Sequence, residues 1–144
     1  MKTLSIGNQE REQFSITVLG YERSASGEFY DDNWLTSRVK ISVGSFSGEF
    51  GLSLFTTDFT SFLEQLSALY KTLSGEAKFE TMEGQIEFSM TGNGRGGVEV
   101  SGRVLDQAGI GNKLEFAFQV DQTYLPLAIH DLNEILNEFP ARPA

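Results

Sequence analysis

Apolar residues fall at every second position over much of this chain, and that alternation restricts it to strands that bury one face. FSITV (14–18) points Phe14, Ile16 and Val18 one way. VKISV (39–43) does the same with Val39, Ile41 and Val43, and FGLSL (50–54) with Phe50, Leu52 and Leu54. A second group is cleaner: Ala77 and Phe79; Ile86, Phe88 and Met90; Val98, Val100 and Val104; Leu114, Phe116, Phe118 and Val120. Between these four lie Glu83-Gly84, GNGRGG (92–97) and DQAGIGN (106–112), all turn chemistry in which Gly and Asn accept positive φ. Connections this short imply antiparallel neighbours, so residues 76–121 read as a four-stranded meander.

Two segments change period. From Asp58 to Ser74 the apolar residues Phe59, Phe62, Leu63, Leu66, Leu69, Tyr70 and Leu73 follow helical spacing. Thr57 suits its N-cap, Asp58 the positive end of the dipole and Gly75 the C′ position. A second helix runs from Leu125 to Glu138, with Leu125, Ile129, Leu132, Leu136 and Phe139 on one face and Pro140 ending it. The expected fold is α+β: an antiparallel sheet of about seven strands, two helices packed on one face, order βββ-α-ββββ-α, and water on the other face. The halves share a strands-then-helix order without a sequence repeat.

At 144 residues the chain is expected to be one domain, residues 1–144. Its 40% hydrophobic content includes twelve Phe, so the core should be aromatic. Cysteine is absent, which removes disulfides, thiol nucleophiles and Cys-containing zinc sites and fits a reducing compartment. Met1–Ile6 leads straight into the polar run GNQEREQ with no apolar signal core, and no window reaches the ~18 apolar residues of a membrane span. A cytoplasmic protein is expected. Twenty acids against eleven bases give a formal charge of -9, which repels nucleic acid and anionic lipid and attracts a basic partner. Acidity also simply keeps a protein soluble.

No motif supports an enzyme. His130, the lone histidine, lies within the second helix, and no GxSxG elbow or SxxK motif occurs. GNGRGG leads from strand to strand, whereas a phosphate cradle leads into a helix, so a hairpin with Arg95 at its tip is the better reading. Asp31-Asp32-Asn33 lacks the spacing and distal Glu of a calcium loop, and no metal or cofactor is expected. These residues make a turn that lets Trp34 anchor the loop; an aromatic beside acids also suits a protein interface.

The outward strand positions carry Glu80, Glu87, Glu99, Arg103, Glu115 and Gln119, a negative platform on one sheet face. Water-facing positions are ordinarily polar, yet four of these six are acidic. With Asp31, Asp32 and Trp34, the residues Glu80, Glu87, Glu99, Glu115 and Gln119 form the candidate partner-binding set. At the seam VDQTYLP (120–126), Asp121, Gln122 and Thr123 can serve the free N–H groups of the second helix, Tyr124 tucks against the sheet, and Pro126 sits in a first turn. This seam reads as a structural cap.

DDNWL (31–35), GEF (48–50), LYKTLSGEAKF (69–79), EGQIEFSMTGNGRGGVEVSG (83–102), GNKLEFAFQVDQTYLP (111–126) and NEFP (137–140) together resemble the WapI immunity protein family, over residues 14 to 140. One departure is GRGG at 94–97, where a less glycine-rich ending is expected. The resemblance implies a small cytoplasmic antitoxin that binds and blocks the C-terminal domain of a polymorphic toxin, a nuclease acting on tRNA. Its partner would be a basic toxin domain, and the protein a monomer or weak homodimer. Two other readings stand beside it. One is a ligand-binding or enzymatic domain with a site around Asp31, Asp32, Asp121 and Tyr124. The other is an assembly subunit that pairs through a sheet edge.

Overall fold

Each alternating segment forms a strand, and each helical stripe a helix. The computed structural model describes every residue except Gln9 and Ala144. Strands β1 (Lys2–Asn8), β2 (Glu12–Tyr21), β3 (Trp34–Val43) and β4 (Phe46–Phe55) form one antiparallel sheet in chain order. Strands β5 (Ser74–Phe79), β6 (Ile86–Asn93), β7 (Gly97–Leu105) and β8 (Lys113–Asp121) form a second. A single helical turn, α1 (Phe29–Asp32), precedes β3; α2 (Thr56–Thr72) links the sheets; a 3-10 turn (Gln122–Tyr124) leads into α3 (Leu125–Glu138). The class is α+β with antiparallel sheets throughout.

The layering differs from the expected single sheet of about seven strands. Strand β1 carries only Leu4 and Ile6 as buried apolar residues, too short an alternation to stand out beside a polar run. The division into two sheets is invisible to alternation, which reports that a strand has one dry face but not what dries it. Here the sheets dry one another. The Phe14 ring of β2 reaches Phe88 of β6 at 4.7 Å between centroids and Phe116 and Phe118 of β8 at 5.4 and 6.3 Å.

The helices close the edges. Helix α2 packs on β5, α3 packs on β1, and the two lie against each other. Phe62 of α2 meets Phe79 and Phe88 edge-on, carrying the helix into the same aromatic core. Each helix also satisfies an outward backbone N–H on the strand it covers. Lys78 N donates to Gln65 Oε1 at 2.9 Å, and Ser5 N to Asp131 Oδ2 at 3.1 Å. Each half thus runs four strands and a helix, and the helix covers the first strand of the other half.

The helix ends depart from the expected caps. Thr57 lies inside α2, and the N-cap position is Phe55, whose N–H donates to Asp58 Oδ2 at 2.9 Å. The residue that ends the helix in the left-handed region is Leu73 (φ 59°), whose N–H closes on Leu69 O while its side chain remains on the core. Gly75, also at positive φ (97°), lies beyond the cap in β5. Burial pushes the Asp58 carboxyl up to about 6, against the opposing pull of the Phe55 N–H. A folded value above the unfolded one means that the native chain holds the extra proton between about pH 4 and 6. Stability from this group is therefore greatest at low pH and falls as pH rises through that window. Asp58→Asn keeps an acceptor for Phe55 and removes the charge. It should melt higher than the parent at pH 7.5 and no higher at pH 4; a pH-independent difference in melting temperature would contradict this origin.

Candidate functional site

Strands β5 to β8 turn their apolar residues toward β1–β4, so the intervening residues face water. Their register sorts them into three rows across the sheet. In one, Glu87, Arg103 and Glu115 are neighbours, with Glu80 one step beyond the Phe79–Phe88 pair. In another, Glu76, Thr91, Glu99 and Gln119 are neighbours. Between them run Lys78, Ser89, Ser101 and Ala117. Ala117 is exposed even though its side chain is a single methyl, so none of the described residues covers this face there. A groove of about 460 Å³ opens there, its floor including Ser89, Ser101 and Gly102.

The face gathers Glu80, Glu87, Glu99, Glu115 and Gln119 of the candidate set. It also holds charges that the sequence reading passed over. Glu76 flanks Ala77 as Lys78 does, so continuing the alternation back along β5 would have found both; Lys113 precedes Leu114 in the same way. The cations temper the acids: Arg103 meets Glu87 at 3.4 Å, Lys78 meets Glu76 at 3.3 Å and Lys113 meets Glu115 at 3.0 Å. These exposed pairs stabilise by about 0–1 kcal/mol each, so an incoming cation can compete for the carboxylates. Glu80 and Glu99 enter no ion pair among the described residues; Glu99 accepts only Gln119 Nε2, at 3.4 Å. What the arrangement can do is pair with positive charge over a rigid surface.

Asp31, Asp32 and Trp34 lie elsewhere, around α1. Asp31 is exposed and 3.6 Å from Arg23 Nη1. Asp32 is buried and accepts the N–H groups of Ser26 and Gly27 and the Ser26 hydroxyl at 2.8–2.9 Å. Burial raises its carboxyl pKa, but the Ser26 and Gly27 hydrogen bonds and Arg142 outweigh that and carry it below the ordinary range. Asn33, also buried, receives Arg142 N at 2.7 Å and donates to Arg142 O at 3.0 Å. The Arg142 guanidinium lies 3.5 Å over the Tyr21 ring. Asp32 thus closes the turn at Ser26 and Gly27, and Asn33 fastens the segment around Arg142, a tie that no sequence pattern marks. Trp34 is half-buried with its ring edge-on to Phe55 at 5.1 Å.

At the seam, Asp121 caps the 3-10 turn by accepting the N–H and hydroxyl of Thr123. Those hydrogen bonds, the hydroxyl first, hold its pKa below the usual range. Gln122 N donates to Gly96 O at 2.7 Å, pinning the turn to the β6–β7 hairpin, and Tyr124 packs on the core. Among the described residues, the better-formed clefts lie away from both the α1 pair, Asp31 and Asp32, and the seam pair, Asp121 and Tyr124, none of which lines them. Among the described residues no group of three or more His, Asp or Glu could hold a metal ion, and no helix is long and apolar enough to cross a membrane.

Three comparisons bear on this chain. The model of the Immunity protein WapI-like family matches residues 5–140. No curated protein matches. Among solved structures, WHY1 from Arabidopsis thaliana is similar with a TM-score of 0.54 and 11% identity, over 95% of this chain and 89% of that one. The plant transcriptional regulator PBF-2 gives 0.52 and 14%, over 95% and 81%. A CdiA-CT/CdiI toxin and immunity complex from Enterobacter cloacae gives 0.46 and 16%, over 83% and 97%. At these identities the two plant proteins show a shared fold and nothing more.

Proposed function

We propose, from the premise that this chain belongs to the WapI-like immunity protein family, that it is a non-catalytic inhibitor which binds the basic C-terminal nuclease domain of a toxin. The observation that carries this reading is the uncovered outer face of β5–β8, where Glu76, Glu80, Glu87, Glu99 and Glu115 stand on a rigid sheet. A domain that grips RNA presents cations to phosphate, and a carboxylate surface competes for those cations. Opposite charge also speeds encounter, which matters for an inhibitor that must reach the toxin before RNA does. On this reading the protein works in the cytoplasm, as a monomer or weak homodimer, with residues 1–144 acting as one unit.

Co-expression with the C-terminal domain of a toxin from the same genome tests the reading. Cells carrying both should grow, and an inactivated toxin domain should co-purify with the protein. Growth arrest with no complex would refute it. The association rate should fall about tenfold or more between 50 and 500 mM salt, as steered encounters do. A rate indifferent to salt would remove the electrostatic part of the reading.

A further inference from the structure

The three rows on the outer face of β5–β8 have a shape as well as a charge. Rows two residues apart along a strand are separated by about 7 Å, so the two carboxylate rows stand about 14 Å apart. The row between them narrows to Ser89, Ser101 and Ala117, side chains too short to fill the space. This leaves a trough running across the strands, walled by Glu87, Arg103 and Glu115 on one side, where the groove opens, and by Thr91, Glu99 and Gln119 on the other. Arg103 is held by Glu87, which leaves Glu115 and Glu99 to meet a cation across the floor. An α-helix with its side chains is about 10–12 Å across. An extended segment is narrower and would engage one wall at a time.

The trough is open at one end only. At β8, the last strand of the sheet, the floor residue is Ala117; at β5 it is Lys78, which rises from the floor and bridges to Glu76. The small-residue floor spans the three strands β6, β7 and β8, about 10–14 Å at about 4.8 Å spacing, enough for roughly two turns of helix. The geometry points to a docking trough for a cationic α-helix of the partner, lying across the strands with Lys or Arg on both flanks and small residues underneath. This deepens the reading above, since it names the element of the toxin domain that the sheet receives. Lys78 at the closed end suits the negative end of a helix dipole, so the helix would enter with its C-terminus at β5.

A stapled, alanine-based helix of 14 residues with arginines on two flanks is the probe. A peptide of the same composition with two prolines in place of alanines is its non-helical counterpart. Titration of the stapled helix should shift the amide resonances of Ser89, Ser101 and Ala117, and should bind about tenfold more tightly than the proline peptide, the gain that preorganisation brings. Ser101→Trp, which fills the floor at an outward strand position and leaves every carboxylate in place, should lose that binding. Lys40→Trp on the outer face of β1–β4 should keep it. Equal binding by the proline peptide, shifts elsewhere, or unimpaired binding by Ser101→Trp would overturn the trough. The same Ser101→Trp variant separates the two ideas in cells. If the parent protects against toxin and the variant protects equally, the trough fails and the inhibitor reading stands. If the parent does not protect while the stapled helix still binds the trough, the inhibitor reading fails alone.

Discussion

Phe14→Ala is expected to lower the stability of the protein by about 3–5 kcal/mol, the range for removing a buried aromatic without collapse of the site. Phe14 is 1% exposed. It is the side chain by which β2 reaches the opposing sheet, where it meets Phe88, Phe116 and Phe118 at once. Each edge-on or tilted pair contributes about 0.5–1.5 kcal/mol beyond area burial, and none of the three can re-form with alanine. Both sheets are held by backbone pairing and cannot slide together to fill the gap. Denaturant unfolding of parent and variant gives the difference directly. A loss under about 1 kcal/mol would mean that the sheets do not rely on this contact.

The second large effect is expected at Gly92, where the reason is space rather than backbone freedom. A Cβ on Gly92 would lie 2.4 Å from Leu73 O and 2.9 Å from Leu69 Cδ1. That carbonyl is the end of α2, and it is already held by Gly94 N at 2.7 Å. The helix end and strand β6 therefore touch backbone to backbone, and a side chain must push them apart. Gly92→Val should cost about 3 kcal/mol, the upper end for overpacking, because the Leu69 side chain can turn aside but the Leu73 backbone cannot. Gly20→Ala is the control: nothing lies within 4 Å of its added Cβ. A melting temperature unchanged by Gly92→Val would show that the close approach is not maintained in solution.

Gly92 also shows where the sequence stops being legible. As part of GNGRGG it reads as turn chemistry, and its role against α2 depends on a helix nineteen or more residues earlier in the chain. The same holds for Leu73, which takes the left-handed position at the helix end that Gly75 seemed made for. Seven of the strands were readable because each buries one face. The eighth was not, and neither was the split into two sheets, since pairing partners leave no mark on alternation. The acidic rows followed once the apolar rows were known, because the other face is simply what remains. Asp32 and Asn33 could be placed beside Trp34, but Asn33 not against Arg142, which sits in a stretch with no period to read.

The exchange of helices between the halves has a consequence for synthesis on the ribosome. Strand β1 leaves the exit tunnel well over a hundred residues before the segment that shields its outer edge, α3. Until Asp131 arrives to take the Ser5 N–H, the nascent first sheet exposes a row of unsatisfied amides to any other extended chain nearby. Pairing at the outer edge of β1 is thus provisional until the fourteen-residue α3 has been made.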